Sequence, residues 1–336
     1  MFPRPPNTMK IWSLLPSATE VLFALGLDEE ITGVTHECDY PPQANSKPRV
    51  THSEIDSSRS SGEIDLQVTG RFRVGAQIYG IDEQRLHADP PDLIVTQDLC
   101  PVCAVSPSDF ARHMESTGCR AEVLSLNPNR LGDILDDVRR IGAATSRTVE
   151  AEALVRELSG GIDGVRESIG GDGERPRVLC LEWLDPPMPG GHWVPEMIRI
   201  AGGDDGALIA PGEPSRKLPW EAMRRTEPDV IALMPCGFGA ERAASEAEVL
   251  WELDAWATLP AVRKGRVYAL DGNSFFSRPG PRLVDGLEIL AHTFHPDRIA
   301  KVPPVGSILK LVTPPAGGSS VENWTMRFEP LIGVPS

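Results

Sequence analysis

Two stretches decide the fold: Lys10-Ile11-Trp12-Ser13-Leu14-Leu15 and Arg177-Val178-Leu179-Cys180-Leu181-Glu182-Trp183. Each is a short apolar run followed by a Pro- or Gly-bearing loop and then a helix start, so each reads as a buried strand entering a helix. The first helix is expected to begin at Ser17-Ala18-Thr19-Glu20, with Ser17 as cap and Glu20 three residues on, and to stop at Leu25-Gly26. The second is expected to begin near Pro195-Glu196-Met197 and to stop at Ala201-Gly202-Gly203. Farther on, Asp89-Pro90-Pro91-Asp92-Leu93-Ile94-Val95-Thr96 is matched by Glu227-Pro228-Asp229-Val230-Ile231-Ala232-Leu233-Met234. Both are acidic-proline turns feeding a β-branched strand of the kind covered on both faces. Lys10 lies 82 positions before Asp92 and Arg177 lies 52 before Asp229, so the first half carries about thirty extra residues. A repeated α/β unit implies two lobes with a crevice between them, where ligands favour binding.

The length supports this reading, since 336 residues fit two domains that each bury a core. The boundaries expected are a disordered tail over 1–8, an N-terminal α/β lobe over 9–129, a helical linker over 130–173, a C-terminal α/β lobe over 174–300 and a Pro/Gly-rich extension over 301–336. In the linker, Leu131, Ile134, Leu135, Val138 and Ile141 fall at helical spacing. A second helix follows from Thr148, with Leu154, Val155, Leu158, Ile162, Val165 and Ile169 along one stripe and Thr148 as cap. Twenty-two residues of helix span about 33 Å, enough for a rigid strut that limits hinge motion. Gly160, Gly161 and Gly164 weaken that helix by about 1 kcal/mol each relative to Ala. The Ser- and acid-rich segment from Ser53 to Gly70 reads as an exposed loop, and Ile308–Val312 and Trp324–Phe328 as short strands.

Charge and composition exclude several classes. A net charge of −15 opposes nucleic-acid binding, which needs clustered Lys and Arg. No apolar run reaches the roughly 18 residues of a membrane span. Six cysteines form no disulfide framework. The residues from Met1 to Thr8 show no signal-peptide pattern, so the expected compartment is the cytoplasm, or the periplasm or exterior if the true start differs. No nucleophile elbow, phosphate loop or H-E-x-x-H occurs, so the chain is not expected to be an enzyme.

Several phrases then become recognisable: Ser13-Leu14-Leu15-Pro16-Ser17-Ala18-Thr19-Glu20, Thr35-His36-Glu37-Cys38-Asp39-Tyr40-Pro41, Pro91-Asp92-Leu93-Ile94-Val95-Thr96-Gln97, Gly191-His192-Trp193-Val194-Pro195-Glu196-Met197 and Asp271-Gly272-Asn273-Ser274-Phe275-Phe276-Ser277-Arg278-Pro279-Gly280. From about Met9 to Phe294 the chain resembles the cobalamin-type periplasmic binding proteins of ABC importers, in a branch without a signal peptide. The resemblance implies an α/β fold of two doubly wound, Rossmann-like lobes joined by a long helix, the clamp-like substrate-binding fold. It also implies non-covalent capture of a corrinoid such as cobalamin in the interlobe cleft, as a transport component or a cytosolic carrier, with an ABC importer permease as partner.

In such lobes the loops after strand C-termini line the binding edge. That rule selects His36, Glu37, Tyr40, Gln97, Trp183, His192, Trp193, Phe238, Asn273, Phe275, Phe276 and Arg278 as ligand-binding candidates. The aromatics would wall a flat macrocycle, and Gln97, Asn273 and Arg278 would bond its polar rim. His36 and His192 are candidates for an axial position on the metal. Haem or a ferric siderophore are the alternative ligands; a siderophore would need more cations than Arg278. A different class of reading, a cytosolic thiol- or metal-dependent enzyme, uses Cys100-Pro101-Val102-Cys103. His36, Cys38, Cys100 and Cys103 have the ligand types of a zinc site, although ordinary thiols are the expectation.

Overall fold

The computed structural model describes residues 9–98, 107–171, 173–299, 301–312 and 327–331, and the chain divides into two compact units. The first comprises residues up to Arg59, Glu63–Pro128 and Gly132–Leu158; the second comprises Ser60–Gly62, Asn129–Leu131 and Ser159 onward.

The first unit runs β1 (Ile11–Ser13), α1 (Pro16–Ala24), β2 (Ile31–Val34), β3 (Thr51–Ser53), α2 (Ser61–Arg73), β4 (Tyr79–Ile81), α3 (Glu83–Ala88), β5 (Leu93–Gln97), α4 (Pro107–Thr117), β6 (Glu122–Leu126) and α5 (Leu131–Ala144). Its main sheet has the order β2-β1-β5-β6, parallel throughout. Such a sheet needs cover on both faces, and β5 is buried at all five positions. Trp12, Leu14, Val50, Leu86, Ile94 and Phe110 form a core on this sheet.

The next helix, α6 (Thr148–Ile169), contains the boundary between the units, which falls after Leu158. The second unit continues with β7 (Val178–Leu184), β8 (Pro187–Pro189), α7 (Val194–Ile200), α8 (Trp220–Arg224), β9 (Val230–Leu233), α9 (Ala240–Glu246), α10 (Pro260–Arg263), β10 (Val267–Leu270), α11 (Gly272–Phe275), α12 (Leu283–Phe294), β11 (Ile308–Val312) and β12 (Arg327–Pro330). The strand order is β8-β7-β9-β10-β11-β12, with β7, β9 and β10 parallel and the outer strands antiparallel. Leu179, Leu181, Ile231, Leu233, Leu250 and Trp256 are among its core residues.

The repeated phrase folds the same way twice. In the first unit the Asp92 N–H donates to Lys10 O at 2.8 Å, and the Lys10 N–H donates to the Asp92 carboxylate at 2.7 Å. In the second, the Asp229 N–H donates to Arg177 O at 2.7 Å, and the Arg177 N–H to the Asp229 carboxylate at 3.3 Å. The acidic residue of each acidic-proline turn therefore clamps the start of the neighbouring parallel strand. The basic side chains join in: Lys10 pairs with Asp89, and Arg177 with Glu227 and Asp229.

Some expectations need correction. Helix α1 begins at Pro16, whose fixed φ suits a first helical position, so Ser17 is a buried helical residue and not the cap. Residues 61–73 form helix α2, not a loop. This helix sinks Ile64 and leaves Leu66 and Phe72 exposed, so its polar surroundings concealed a single buried anchor. The extra length of the first half comprises α2, α3 and the β3–β4 ribbon. Gly161 has a packing role: a Cβ there would lie 2.5 Å from Val284 of α12, so glycine permits the close approach. The 130–173 linker is divided among elements: α5 from Gly132 belongs to the first unit and α6 to both. Part of the 301–336 extension belongs to the second sheet as β11 and β12; Trp324 of the expected last strand and the 1–8 tail lie outside the described residues.

Candidate ligand-binding site

Parallel strands in each unit point their carboxyl ends at one sheet edge; most candidate residues lie at or just after those ends, while His192 and Trp193 follow the antiparallel β8. In the first unit, His36 follows β2. Its Nδ1 is 2.9 Å from Thr51 Oγ1, its Nε2 is 3.3 Å from Glu37 Oε1, and its ring packs on Tyr79 with centroids 5.5 Å apart. Thr51 Oγ1 in turn donates to Thr35 Oγ1 at 3.0 Å. This network orients the loop and leaves the His36 ring half-buried against protein. Glu37 and Tyr40 are exposed, Tyr40 by 43%. Gln97 is the last residue of β5 and is buried, not a loop residue.

Cys38 is fully buried, with Sγ 3.0 Å from Thr19 Oγ1, and Thr19 Oγ1 donates to Ser13 Oγ at 2.8 Å. The thiol therefore ties the β2 loop to α1 beside β1. Cys100 and Cys103 lie outside the described residues. Among the described residues, no group of three or more His, Cys, Asp or Glu side chains is placed to hold a metal ion.

The second unit carries the denser arrangement. Trp183, near the end of β7, is half-buried, and its indole N–H donates to Asp185 O at 3.0 Å. Its ring meets Phe238, in the loop after β9, at 5.5 Å and 58°. The Arg242 guanidinium lies over the same phenyl ring, 3.6 Å from its centroid. In the segment after β10, Arg278 donates to Asn273 Oδ1 at 3.0 Å.

The loop between β8 and α7 is held from three sides. Gly191 N–H donates to Glu182 Oε2 at 3.0 Å. His192 N–H donates to Glu213 O at 2.6 Å, and Gly212 N–H donates to His192 O at 2.9 Å. A Cβ on Gly191 would sit 2.1 Å from Ser215 N, so only glycine allows the 212–215 strap to lie this close. His192 takes φ +52°, a left-handed conformation unusual for a non-glycine residue, and the strap bonds enforce it. Burial holds its imidazole pKa below the usual value, favouring the neutral ring, and its Nδ1 is buried without a hydrogen-bond partner. Burial also pushes the Glu182 carboxyl above its ordinary range, opposed by the bonds from Gly191 and Ser215.

Burial revises the expected walls. Trp193, Phe238, Phe275 and Phe276 are 5%, 2%, 9% and 2% exposed, so they pack within the protein and do not stand as open faces. The Trp193 N–H is spent on Phe276 O at 2.9 Å. Tyr40 and Trp183 are the candidates that keep substantial aromatic surface. Arg242 and the 210–215 strap were not anticipated. Arg242 had one available signal, its i,i+4 spacing from Phe238 at a helix start.

The sequence profile of the periplasmic binding protein family matches residues 11–273, which takes in both repeats. The chain belongs to that family. Its members are periplasmic solute-binding proteins and are not catalysts. Among relatives, the chain is 24% identical over 296 residues to an uncharacterized ABC transporter substrate-binding lipoprotein, YvrC, of Bacillus subtilis, covering 86% of this chain and 80% of the relative. It is 23% identical over 284 residues to the vitamin B12-binding protein of Vibrio cholerae, covering 83% and 86%. The solved structure of a periplasmic heme-binding protein, RhuT, from Roseiflexus superposes with a TM-score of 0.62 at 23% identity, covering 86% of this chain and 99% of that one. The structural likeness shows the shared mixed α/β fold. No helix among the described residues is long and apolar enough to cross a membrane.

Proposed function

We propose that this family member captures a corrinoid such as cobalamin without covalent chemistry, using loops at the carboxyl edge of its second unit's sheet. The observation that carries the reading is the cluster of Trp183, Phe238 and Arg242, in which a half-buried indole pinned by its N–H meets, at a tilt, a phenyl ring that a guanidinium covers. The vitamin B12-binding relative, similar over most of both chains, supports the same ligand class. The proposal includes handover to an ABC importer permease, in keeping with the lipoprotein relative, or service as a cytosolic carrier. Titration calorimetry with cyanocobalamin tests the ligand: one-to-one binding with quenched tryptophan fluorescence is expected, and Trp183→Ala should weaken it. No binding at tens of micromolar, about −6 kcal/mol, overturns the corrinoid assignment.

Haem is the second reading, and His192 favours it. Burial favours the neutral imidazole, the form in which one ring nitrogen keeps the lone pair that a haem iron takes. Tight haemin binding with a shifted Soret band, lost in His192→Ala, would place haem ahead of cobalamin.

A further inference from the structure

Arg130 stands immediately before α5, in the 129–131 segment that belongs to the second unit, and it grips two parts of that unit at once. Its Nη1 donates to Glu196 Oε1 of α7 at 3.0 Å, and its Nη2 donates to Pro211 O at 2.9 Å. Glu196 is itself held, since its Oε2 accepts from the Leu131 N–H at 3.0 Å. A charge-assisted bond to a fixed carboxylate settles where a long side chain rests. Gly212 takes φ +89°, and a Cβ there would lie 3.1 Å from Arg130 Nε, so glycine lets the side chain lie close against the strap.

The carbonyl that Arg130 holds belongs to the same peptide unit as the Gly212 N–H, and that N–H donates to His192 O at 2.9 Å. A peptide unit is planar, so fixing its oxygen fixes the direction of its N–H. A bond to the oxygen also polarises the unit and strengthens the bond that its N–H makes. Arg130 is therefore one planar group away from His192, whose φ of +52° persists only because its surroundings enforce it. The far end of the strap is tied to the β7–β8 hairpin: Ser215 Oγ donates to Pro189 O at 2.8 Å, and β8 pairs with β7, the strand of Trp183. The Arg130 and Glu196 side chains are 55% and 23% exposed, and an ion pair this open contributes little to overall stability. Its effect falls on the orientation of the strap.

We infer, on the footing of the function proposed above, that Arg130 is a positioning residue of the ligand site: it fixes the Pro211–Gly212 peptide plane and so holds the His192 loop in the arrangement that receives the planar ligand. Amide hydrogen exchange on ligand-free wild-type, Arg130→Gln and Arg130→Lys proteins reads the loop without any ligand, and calorimetry with cyanocobalamin and with haemin reads the site. Arg130→Gln should speed exchange at His192 and Gly212 by about tenfold. It should leave the urea midpoint and the exchange of Ile231, whose N–H donates to Arg266 O in the second sheet, as in wild type. Affinity for the ligand that wild type binds should fall by about fivefold or more. Arg130→Lys keeps the cation with one nitrogen in place of a fork, so it should recover part of both effects. Unchanged exchange at His192 and Gly212 overturns the role, as does a rise matched at Ile231, which would mean general loosening. Faster exchange with unchanged affinity overturns it too, because the loop would then not govern binding. If wild type binds neither cyanocobalamin nor haemin, the function proposed above fails by itself, and the exchange result alone decides whether Arg130 holds the loop.

Discussion

Asp137 offers a quantitative test of the structure away from the ligand. It lies on α5, where burial pushes its carboxyl pKa up from 3.8 to about 6 against the opposing pull of Arg140. Arg140 Nη1 donates to Oδ1 at 2.7 Å, while Oδ2 is buried without a partner, and the side chain is only 10% exposed. A carboxyl with a raised folded-state pKa holds its proton more tightly in the folded chain. Its contribution to stability is therefore full below about pH 3.8 and is lost as pH rises through about 6. Between about pH 4.5 and 7.5 these two values give a difference of about 2 kcal/mol. The perturbation is Asp137→Ala, followed by urea unfolding at both pH values. The gain in helix propensity is nearly independent of pH and cancels when the two substitution effects are subtracted, and the pH dependence of the Arg140 contact is already contained in the folded-state pKa. The substitution should thus be about 2 kcal/mol more favourable at pH 7.5 than at pH 4.5. A difference below about 0.5 kcal/mol, or one of opposite sign, would refute the burial of an unsatisfied carboxylate at this position.

Three further outcomes are expected. His295 donates Nε2–H to Gly202 O at 3.1 Å, and burial with Arg298, Arg266 and Arg175 nearby lowers its pKa, so its stabilisation is present above about pH 6.5 and lost on acidification. His295→Gln keeps a donor and should flatten the acid limb of a pH–stability curve; an unchanged limb counts against the assignment. Trp193→Phe strands Phe276 O and should cost about 1–3 kcal/mol in urea unfolding, with a cost near zero showing that the bond contributes nothing. Gly191→Ala drives a Cβ against Ser215 N and should displace the 212–215 strap, weakening ligand binding by calorimetry and lowering the unfolding temperature; wild-type values for both would mean the strap moves freely.

The fold was legible because its strands are apolar and punctuated. The two runs at Lys10 and Arg177 and the two acidic-proline turns at Asp92 and Asp229 mark the same parallel pairing in each unit. Helix α2 was not legible, since one buried Ile64 among polar neighbours gives almost no helical stripe. At the candidate site, the carboxyl-edge rule picks loops from the order of strands alone, but side-chain burial depends on tertiary packing. Phe275 and Phe276 stand at the edge in sequence yet turn inward, whereas Trp183 keeps exposed surface. The strap at 212–215 escaped notice because a glycine between acidic and proline residues reads as an ordinary loop, and its partner Gly191 is more than twenty residues away.

The outer strands of the second sheet have a consequence for self-association. An unpaired strand edge is a template for another chain, and a parallel core ending at β10 would offer one. The chain adds β11 and then β12, turning the sheet antiparallel before it ends. The last strand, Arg327-Phe328-Glu329-Pro330, is four residues long, exposes Arg327 and Glu329, and ends on a residue with no N–H to lend. Its brevity, charge and proline make it a poor place for a second sheet to grow. Among the described residues β12 thus closes the sheet with an edge that offers a second chain little to pair with.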